Sequence, residues 1–223
     1  MDKEEINNAI QRYNNRLNEH GISENALGWG NKGRSNLRFS ILCSDFEFEN
    51  SVILDFGCGF GDLYSYIHEN ITTNFRYIGV DINEKFIEIA KSRDFKNADF
   101  YLVDENADVF LNSLGINIDY VLSSGIFNFK LKDNISFIKS TLTLFNSISK
   151  NGFASNFLSS KVSFQAETNY HSNPSDILEY CYGFSNNIVL KNNYMPYEFS
   201  IFVNKEDLIN KEYNVYQRFI HKI

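Results

Sequence analysis

The sequence predicts an α/β fold, in which helices cover both faces of a mostly parallel sheet that ends in an antiparallel hairpin. Between residues 51 and 158, short apolar runs alternate with stretches whose apolar residues recur at helical spacing. This alternation is typical of a parallel sheet flanked by helices. Two further candidate strands are separated only by residues 194–196, and so short a connection joins antiparallel strands. We therefore expect an antiparallel strand at the edge of the sheet.

Each element is predicted from its own pattern. Apolar residues from Ile6 to Leu17 recur at helical spacing, and Gly21 is expected to end this helix. A second short helix is predicted over residues 37–42. Strands are predicted at 52–56, 76–81, 99–103, 118–123, 152–158, 187–193 and 197–203. Helices are predicted at 61–69, 83–92, 106–114 and 134–149, and from Pro174 through Tyr182.

Length and composition favour a single domain. The chain has 223 residues, of which 43% are hydrophobic, enough to bury one sizeable core. We expect residues 1–50 to form a helical N-terminal segment, residues 51–204 to form the main domain, and residues 205–223 to form a short tail.

Charge and cysteine content exclude several classes of protein. The net charge of −7 argues against nucleic acid as a partner, because phosphate binding needs clustered Lys and Arg. The N-terminus lacks a secretory apolar core, and no stretch approaches the roughly 18 apolar residues that span a bilayer. Cys43, Cys58 and Cys181 form no CxxC pair, which suggests neither disulfides nor a zinc site. We expect a soluble, cytoplasmic protein without membrane insertion.

The stretch SVILDFGCGFGDLYSYI at 51–67 predicts a ligand site. A buried strand runs into Gly57, Gly59 and Gly61, and a helix follows at once. Glycines allow a sharp turn and a close approach of the backbone, and the helix points its free N–H groups at the same place. A bound ligand is therefore expected at the turn.

Two classes of ligand are compatible with a glycine turn. Dinucleotide sites prefer G-x-G-x-x-G, whereas here the third glycine comes one position early and Asp62 takes its place. Asp55, just before the first glycine, could accept hydrogen bonds from a ligand amine or from the backbone of the turn, and a carboxylate there would repel a pyrophosphate. Both features favour a cationic ligand without phosphate.

These motifs resemble the class I S-adenosylmethionine-dependent methyltransferase family. DFGCGFGDL at 55–63 is similar to the family's first motif, VDIN at 80–83 is similar to the acidic end of its second strand, and the hairpin is similar to the one that ends its sheet. The resemblance covers about residues 51–204. It implies a Rossmann-like, seven-stranded, mostly parallel sheet, a catalytic domain over 51–204, and S-adenosylmethionine as cofactor.

Four further stretches resemble a bacterial subgroup that is associated with small-molecule or surface-polysaccharide modification. They are ALGWGNKGRSNLRF at 26–39, SGIFNFKLKDN at 124–134, NFLS at 156–159 and NNYMPYEFSIFV at 192–203. This resemblance implies a role in polysaccharide biosynthesis.

The cofactor site is expected at the carboxyl ends of the strands. Asp81 ends the second strand, where an acid can accept both ribose hydroxyls, and Ile82 would pack against adenine. The resemblance places Asp104 or Glu105 near the adenine amino group, with Asn106 as a further candidate. It also places Ser124 beside the cofactor and the transferred methyl group.

The resemblance makes residues 1–50 a lid over the cofactor. Related enzymes close the pocket with an N-terminal aromatic residue and an arginine, which correspond here to Trp29 and Arg38. Arg38 could clamp the cofactor carboxylate or form an ordinary ion pair. Trp29 could line the pocket or cover the core.

The acceptor is expected to be a small polar molecule. An oxygen nucleophile usually needs a base, and His171 is the candidate because it follows the fifth strand, with His20 as a possible neighbour. Further candidates for binding the acceptor are Asn128, Asn156, Tyr170 and Tyr197.

The predicted function is methyl transfer to an oxygen of a sugar, a nucleotide-linked sugar or a polysaccharide precursor. No metal is expected, because residues 123–124 and 155–160 supply no carboxylate. Residues 124–127 lack the N/D-P-P-Y/F motif of base methyltransferases. The alternatives are a small-molecule N-methyltransferase, a cofactor-binding partner protein without activity, and a nicotinamide reductase.

Overall fold

The computed structural model describes residues 1–30, 33–205 and 209–222. Residues 31–32 of the predicted N-terminal segment, and 206–208 and 223 of the predicted tail, lie outside the described residues. The helices are α1 Lys3–His20, α2 Arg34–Leu42, α3 Asp62–Asn70, α4 Glu84–Ser92, α5 Ala107–Ser113, α6 Asn134–Ile148 and α7 Pro174–Tyr182. The strands are β1 Ser51–Phe56, β2 Phe75–Asp81, β3 Ala98–Leu102, β4 Ile118–Ser123, β5 Ser149–Leu158, β6 Asn187–Lys191, β7 Glu198–Asn204, β8 Ile209–Asn210 and β9 Val215–Tyr216.

Within the described residues, seven strands form one sheet in the order β3-β2-β1-β4-β5-β7-β6. Strands β1 to β5 run parallel to one another, and β7 is antiparallel to both β5 and β6. The predicted α/β fold, with its antiparallel C-terminal hairpin, is therefore confirmed.

The sequence suggested that the antiparallel strand lies at the edge of the sheet, and this prediction is wrong. β7 pairs with β5 on one side and β6 on the other, so β6 takes the edge. Every residue of β7 is buried, whereas most of β6 is only partly buried. A strand that is apolar on both faces buries more surface in an inner position.

Two apolar layers cover the faces of the sheet. Consecutive side chains of a strand point to opposite faces. Ile53 accordingly packs with Tyr77 in one layer, which also receives α2, α3 and α4, and Leu54 packs with Ile78 in the other, beside α5, α6 and α7. Helices thus lie on both faces, and the polar ends of the strands are left free for a site.

The strand order reverses between β1 and β4, and this reversal positions the site. β1 pairs with β2 on one side and with β4 on the other, and the chain leaves β1 toward β2 before it returns to β4. In open α/β sheets, ligands bind at such a switch point, beside the carboxyl ends of the strands.

Ion pairs and a hydrogen bond connect the α1 region to the segments that follow β2 and β4. Lys132 Nζ lies 3.0 Å from Asp2 Oδ2 and 2.7 Å from Glu4 Oε2. The Asn83 side-chain amide donates to Asn14 Oδ1 at 3.2 Å. These contacts lie at the carboxyl ends of the strands, where a lid over the site must sit.

The predicted tail contains regular structure. β8 pairs with β9, and a 3₁₀ helix, Gln217–Lys222, follows. Two-residue strands carry too little alternation for a sequence pattern to indicate them. No helix in the described ranges combines the length and apolar character that crossing a bilayer requires.

Candidate active site

A cavity of about 350 Å³ lies at the carboxyl ends of β1, β2 and β4. Its floor includes the residues that directly follow these strands, among them Gly57, Ile82 and Ser124, and its opposite wall includes Tyr13 and Trp29 of the N-terminal segment. The volume is in the range of small-molecule sites. The sheet and the N-terminal segment together therefore form the candidate site.

The glycine turn forms a cradle without side chains. Gly57 and Gly59 line the cavity with φ angles of 83° and 54°. A Cβ atom on Gly57 would lie 2.4 Å from Ile126 Cγ2, and one on Gly59 would lie 3.1 Å from Leu27 Cδ2. Backbone conformation disfavours a side chain at both positions, and at Gly57 the contact with Ile126 leaves no space for one.

Asp81 joins the end of β2 to the glycine turn. Its Oδ2 accepts a hydrogen bond from the Gly59 amide and its Oδ1 accepts one from the Asn83 amide, both at 2.9 Å. Burial raises the pKa of Asp81 to about 6, although the backbone donors oppose the shift. The carboxylate lines the cavity and is held in one orientation, with further lone pairs for a ligand.

Asp55 is the second carboxylate of the turn, and its side chain is buried. The Tyr77 hydroxyl donates to Asp55 Oδ2, while the amides of Gly57 and Cys58 donate to the Val80 carbonyl at 2.8 and 3.0 Å. The backbone of the turn therefore bonds to β2 and not to Asp55. Burial raises the pKa of Asp55 to about 7, the Tyr77 hydroxyl opposes this shift, and the nearby Asp81 charge adds to it.

Trp29 and Arg38 lie together in the cavity wall. The Arg38 Cζ atom sits 4.9 Å from the Trp29 ring centroid. Arg38 Nε also donates to the two carboxylate oxygens of Glu198, at 3.0 and 2.8 Å, and all three residues line the cavity. Arg38 thus forms an ion pair with a residue of β7 in this structure.

The cavity is also lined by Ser124 and by Asn128, Phe129, Thr168 and Asn169, a group that forms a candidate acceptor end. The Ser124 hydroxyl is buried and has no hydrogen-bond partner among the described residues. Asn128 Oδ1 accepts from the Leu158 amide at 3.2 Å. Ser124 is therefore a buried group beside these residues that is left to bind a ligand.

Asn156 supports this end of the cavity without lining it. The Asn156 Oδ1 atom accepts a hydrogen bond from the Gly125 amide at 2.8 Å, and Asn156 is buried. The side chain fixes the position of the segment after β4.

Arg12, Tyr13 and Arg16 of α1 line the cavity, and the sequence analysis did not identify them. The Tyr13 ring packs edge-on against Phe86 and Phe129, with centroids 5.5 and 5.2 Å away. Burial raises the pKa of Tyr13, and the Asp81 charge raises it further. The helical spacing of Ala9, Tyr13 and Arg16 puts them on one face, but spacing alone does not show what that face covers.

Asp104 belongs to a second cavity of about 450 Å³, together with Glu105 and Lys3. Ile82 and Val103 line both cavities, so the two adjoin at these residues. Lys3 Nζ lies 3.1 Å from Glu105 Oε1. Asp104 is therefore next to the site, on the far side of Ile82 and Val103.

Besides Asn106 and Asn156, four predicted residues line neither cavity: His20, Tyr170, His171 and Tyr197. His171 Nδ1 lies 2.9 Å from the Ser159 carbonyl oxygen, to which it donates, and Nε2 is buried without a partner. Tyr197 is 46% exposed, and Tyr170 packs beside the core. His20 lies at the end of α1, with Nε2 3.8 Å from Glu19.

Across the described residues, no group of three or more His, Cys, Asp or Glu side chains is arranged to hold a metal ion. The three cysteines are free and buried, and burial raises the pKa of the Cys58 thiol. A buried neutral thiol packs as a small apolar side chain.

A parallel sheet with an inserted antiparallel β7, and a glycine turn with carboxylates at the ends of β1 and β2, are typical of nucleoside-binding α/β proteins. A family model described as methyltransferase domain matches residues 47–195, which is more than half of the chain. The chain therefore belongs to the methyltransferase domain family. This match confirms the predicted class of enzyme and its cofactor, S-adenosylmethionine.

Solved structures of methyltransferases share the fold. Magnesium protoporphyrin IX methyltransferase from Synechocystis, with bound SAH, is 13% identical over 88% of this chain and 94% of its own, with a TM-score of 0.60. A SAM-dependent methyltransferase from Archaeoglobus fulgidus is 16% identical over 79% and 95%, with a TM-score of 0.61. The small RNA methyltransferase HEN1 is 15% identical over 78% and 25%, with a TM-score of 0.55. The comparison with curated proteins found no match.

The residues in the cavity fit S-adenosylmethionine. Gly57 and Gly59 line the cavity without side chains, so a ligand can approach the backbone of the turn closely. Asp81 offers ionisable oxygens beside that cradle, and the unpartnered Ser124 hydroxyl lies in the wall of the same cavity. S-adenosylmethionine is a nucleoside with a cationic sulfur. Its ribose hydroxyls can donate to Asp81, and the negative charges of Asp55 and Asp81 attract its positive charge.

Proposed function

We propose that this protein transfers a methyl group from S-adenosylmethionine to a small polar acceptor, such as the oxygen of a sugar or a nucleotide-linked sugar. The observation that carries the proposal is one cavity that is lined both by the glycine turn with Asp81 and by Ser124 with the candidate acceptor end at Asn128, Thr168 and Asn169. One end suits a nucleoside and the other suits a second, smaller molecule.

Each end of the cavity has a distinct binding task in this proposal. Asp81 accepts the ribose hydroxyls while the Gly59 and Asn83 amides hold the carboxylate in place. Adenine packs on Ile82 and extends toward Val103, where the second cavity adjoins. Asp104 and Glu105 then lie close to the adenine edge.

Bound S-adenosylmethionine supplies a methyl group on a positively charged sulfur. The protein contributes orientation and exclusion of water, which are the main requirements of such a transfer. Helix α1 covers the cavity with Tyr13, and the Arg38–Glu198 pair closes the wall beside Trp29. The Ser124 hydroxyl then binds the acceptor or the cofactor close to the methyl group that is transferred.

Proton transfer through His171 is not part of this mechanism. The imidazole does not line the cavity, and its Nδ1 is engaged by the Ser159 carbonyl. Tyr13 lines the cavity, but its raised pKa keeps the phenol protonated, so it is not available as a base. We infer that the acceptor attacks as a hydroxyl, that SAH leaves as the carbon–oxygen bond forms, and that the proton of the methylated oxygen passes to solvent after the transfer.

A small-molecule amine is the second candidate acceptor. An uncharged amine needs no base before it attacks the methyl group, which agrees with a cavity whose lining contains no histidine among the described residues. A cofactor-binding partner protein without activity is the third candidate. The candidate acceptor end of the cavity disfavours it, because such a protein would need no space for an acceptor.

A screen of acceptors tests the proposal. The protein is incubated with S-adenosylmethionine and panels of sugars, nucleotide-linked sugars and small amines, and formation of SAH is measured. Mass spectrometry then locates the added methyl group. Methylation of oxygen supports the leading proposal, methylation of nitrogen supports the second candidate, and SAH binding without any transfer supports the partner protein.

A further inference from the structure

We infer that the acceptor carries a negatively charged oxyanion, a phosphate or a carboxylate, which Arg12 binds at the acceptor end of the cavity. This inference rests on the proposed function, because it names the chemical class of molecule that the site would methylate. It is drawn from the position and the missing partners of two arginines on α1.

Arg12 and Arg16 lie four residues apart on α1, and residues at this spacing share a face of a helix. Both line the cavity. The Arg12 Cζ atom sits 5.1 Å from the Phe129 ring centroid, and Phe129 forms a single antiparallel bridge with Asn169. Arg12 is thus placed over the segments that form the acceptor end.

The acids in the cavity wall are already engaged elsewhere. Glu198 pairs with Arg38, Asp62 pairs with Arg93, and Asp81 accepts two backbone amides. Asp55 accepts from Tyr77. None of these four acids forms an ion pair with Arg12 or Arg16 among the described residues.

Arg12 has no carboxylate within 4 Å and no hydrogen bond in the described part of the chain. Arg16 donates through Nε and Nη2 to the Asn25 carbonyl, at 3.1 and 2.6 Å, so its partner carries no charge and three of its N–H groups remain. In a chain of net charge −7, Arg12 is therefore a cation without a charged partner that lies beside Phe129 in the cavity wall.

Arginine suits an oxyanion better than lysine does. Its planar guanidinium presents paired donors that match two oxygens of a carboxylate or phosphate. The Phe129 ring under Arg12 orients the guanidinium without consuming its donors. Arg16, fixed by Asn25, also holds the segment beside Gly28, so Arg12 is the cleaner residue to test.

The test measures oxyanion binding by calorimetry, with protein that is saturated with SAH and with protein that is free of it. The probes are inorganic pyrophosphate and UDP-glucose for phosphate, glucuronate for carboxylate, and glucose as the neutral control. The variants are Arg12→Gln, Arg12→Lys and Arg76→Gln. Arg76 is a matched control, because it pairs with Asp99 at 3.1 Å and does not line the cavity.

We expect Arg12→Gln to weaken binding of at least one oxyanion class by about tenfold or more, since a charge-assisted hydrogen bond is lost. Arg12→Lys should recover part of that affinity, and Arg76→Gln should behave as the wild type. SAH affinity should stay the same in all four proteins. The probe that responds most identifies phosphate or carboxylate as the group on the acceptor.

Equal oxyanion affinities of the wild type and Arg12→Gln would overturn the inference and leave Arg12 as a side chain that merely packs on Phe129. Absence of oxyanion binding by the SAH-saturated wild type would also overturn it. Failure of SAH itself to bind would contradict the proposed function instead, and the titrations without SAH then decide the oxyanion site separately. Thermal unfolding of each variant verifies that it is folded.

Discussion

The Arg38 guanidinium donates to both carboxylate oxygens of Glu198, and this pair connects α2 to the start of β7. Both side chains are largely buried, with 12% and 6% of their surfaces exposed. Arg38 also contacts the Trp29 ring and donates to the Trp29 carbonyl at 3.3 Å. The pair therefore holds the N-terminal segment against the sheet at the edge of the cavity.

Removing both partners of this pair should destabilise the protein by less than the sum of the two single removals. Arg38→Met or Glu198→Gln alone should lower the free energy of unfolding by about 3 kcal/mol, because a buried charge or its donors lose their partner. The double variant should lose less than the sum of the two losses. Urea unfolding measures all three, and strictly additive losses would show that the two side chains do not interact.

The same variants decide between the two roles of Arg38. If Arg38 also binds the cofactor carboxylate, Arg38→Met should weaken SAH binding by about tenfold, while Glu198→Gln should change it less. Equal effects of the two variants would assign Arg38 to the structural pair alone. Calorimetry with SAH supplies the affinities.

Gly57→Ala should disrupt the turn. The φ of 83° disfavours any side chain, and the new Cβ atom would lie 2.4 Å from Ile126 Cγ2. We expect the free energy of unfolding to fall by about 2 kcal/mol or more, with loss of SAH binding. Gly115→Ala is the matched control, since its φ of 62° is also positive but nothing lies within 4 Å of the new atom. Similar losses in both variants would show that the contact with Ile126 is unimportant.

The buried Asp55 should make the stability of the cofactor-free protein depend on pH. Its folded pKa of about 7 is raised above the ordinary value of 3.8. Its contribution to stability is therefore fully present below the unfolded pKa and is lost as the pH rises through about 7. Asp55→Asn does not titrate, so its unfolding free energy should rise relative to the wild type between pH 5 and 8. Parallel curves from urea unfolding would contradict this prediction.

His171→Ala should leave turnover almost unchanged, because the imidazole does not line the cavity. Loss of a general base would lower the rate by about 10² or more. The measurement is the rate of SAH formation with the acceptor found in the screen, and His20→Ala, also outside the cavity, is the control. A rate loss of about a hundredfold in His171→Ala alone would instead show that His171 is the general base that the sequence suggested.

The fold was largely predictable from the sequence because its signals are local. Apolar runs bounded by turn residues indicated β1 to β7. The glycine turn, Asp55 and Asp81 all lie in β1, the turn to α3 and β2, so their order along the chain was enough to predict that they lie near one another. The inner position of β7 depends on long-range pairing with β5, which no local pattern expresses.

The acceptor end was less predictable, because it depends on which elements meet in space. Arg12 and Tyr13 belong to an amphipathic helix whose partner surface the sequence does not specify, and they line the cavity. His171 follows β5 on the expected side of the sheet, yet its ring is turned to the Ser159 carbonyl. Side-chain direction in a loop depends on tertiary contacts rather than on chain position.

We propose that Asp81, held by the Gly59 and Asn83 amides, binds the ribose of the cofactor beside the glycine turn. Calorimetric titration of the wild type and of Asp81→Ala with SAH tests this role, with Asp99→Asn on the surface of β3 as control. We expect binding by the wild type and the control, and about a tenfold to hundredfold weaker binding by Asp81→Ala. Equal affinity of Asp81→Ala and the wild type, or binding of NAD in place of SAH, would contradict it.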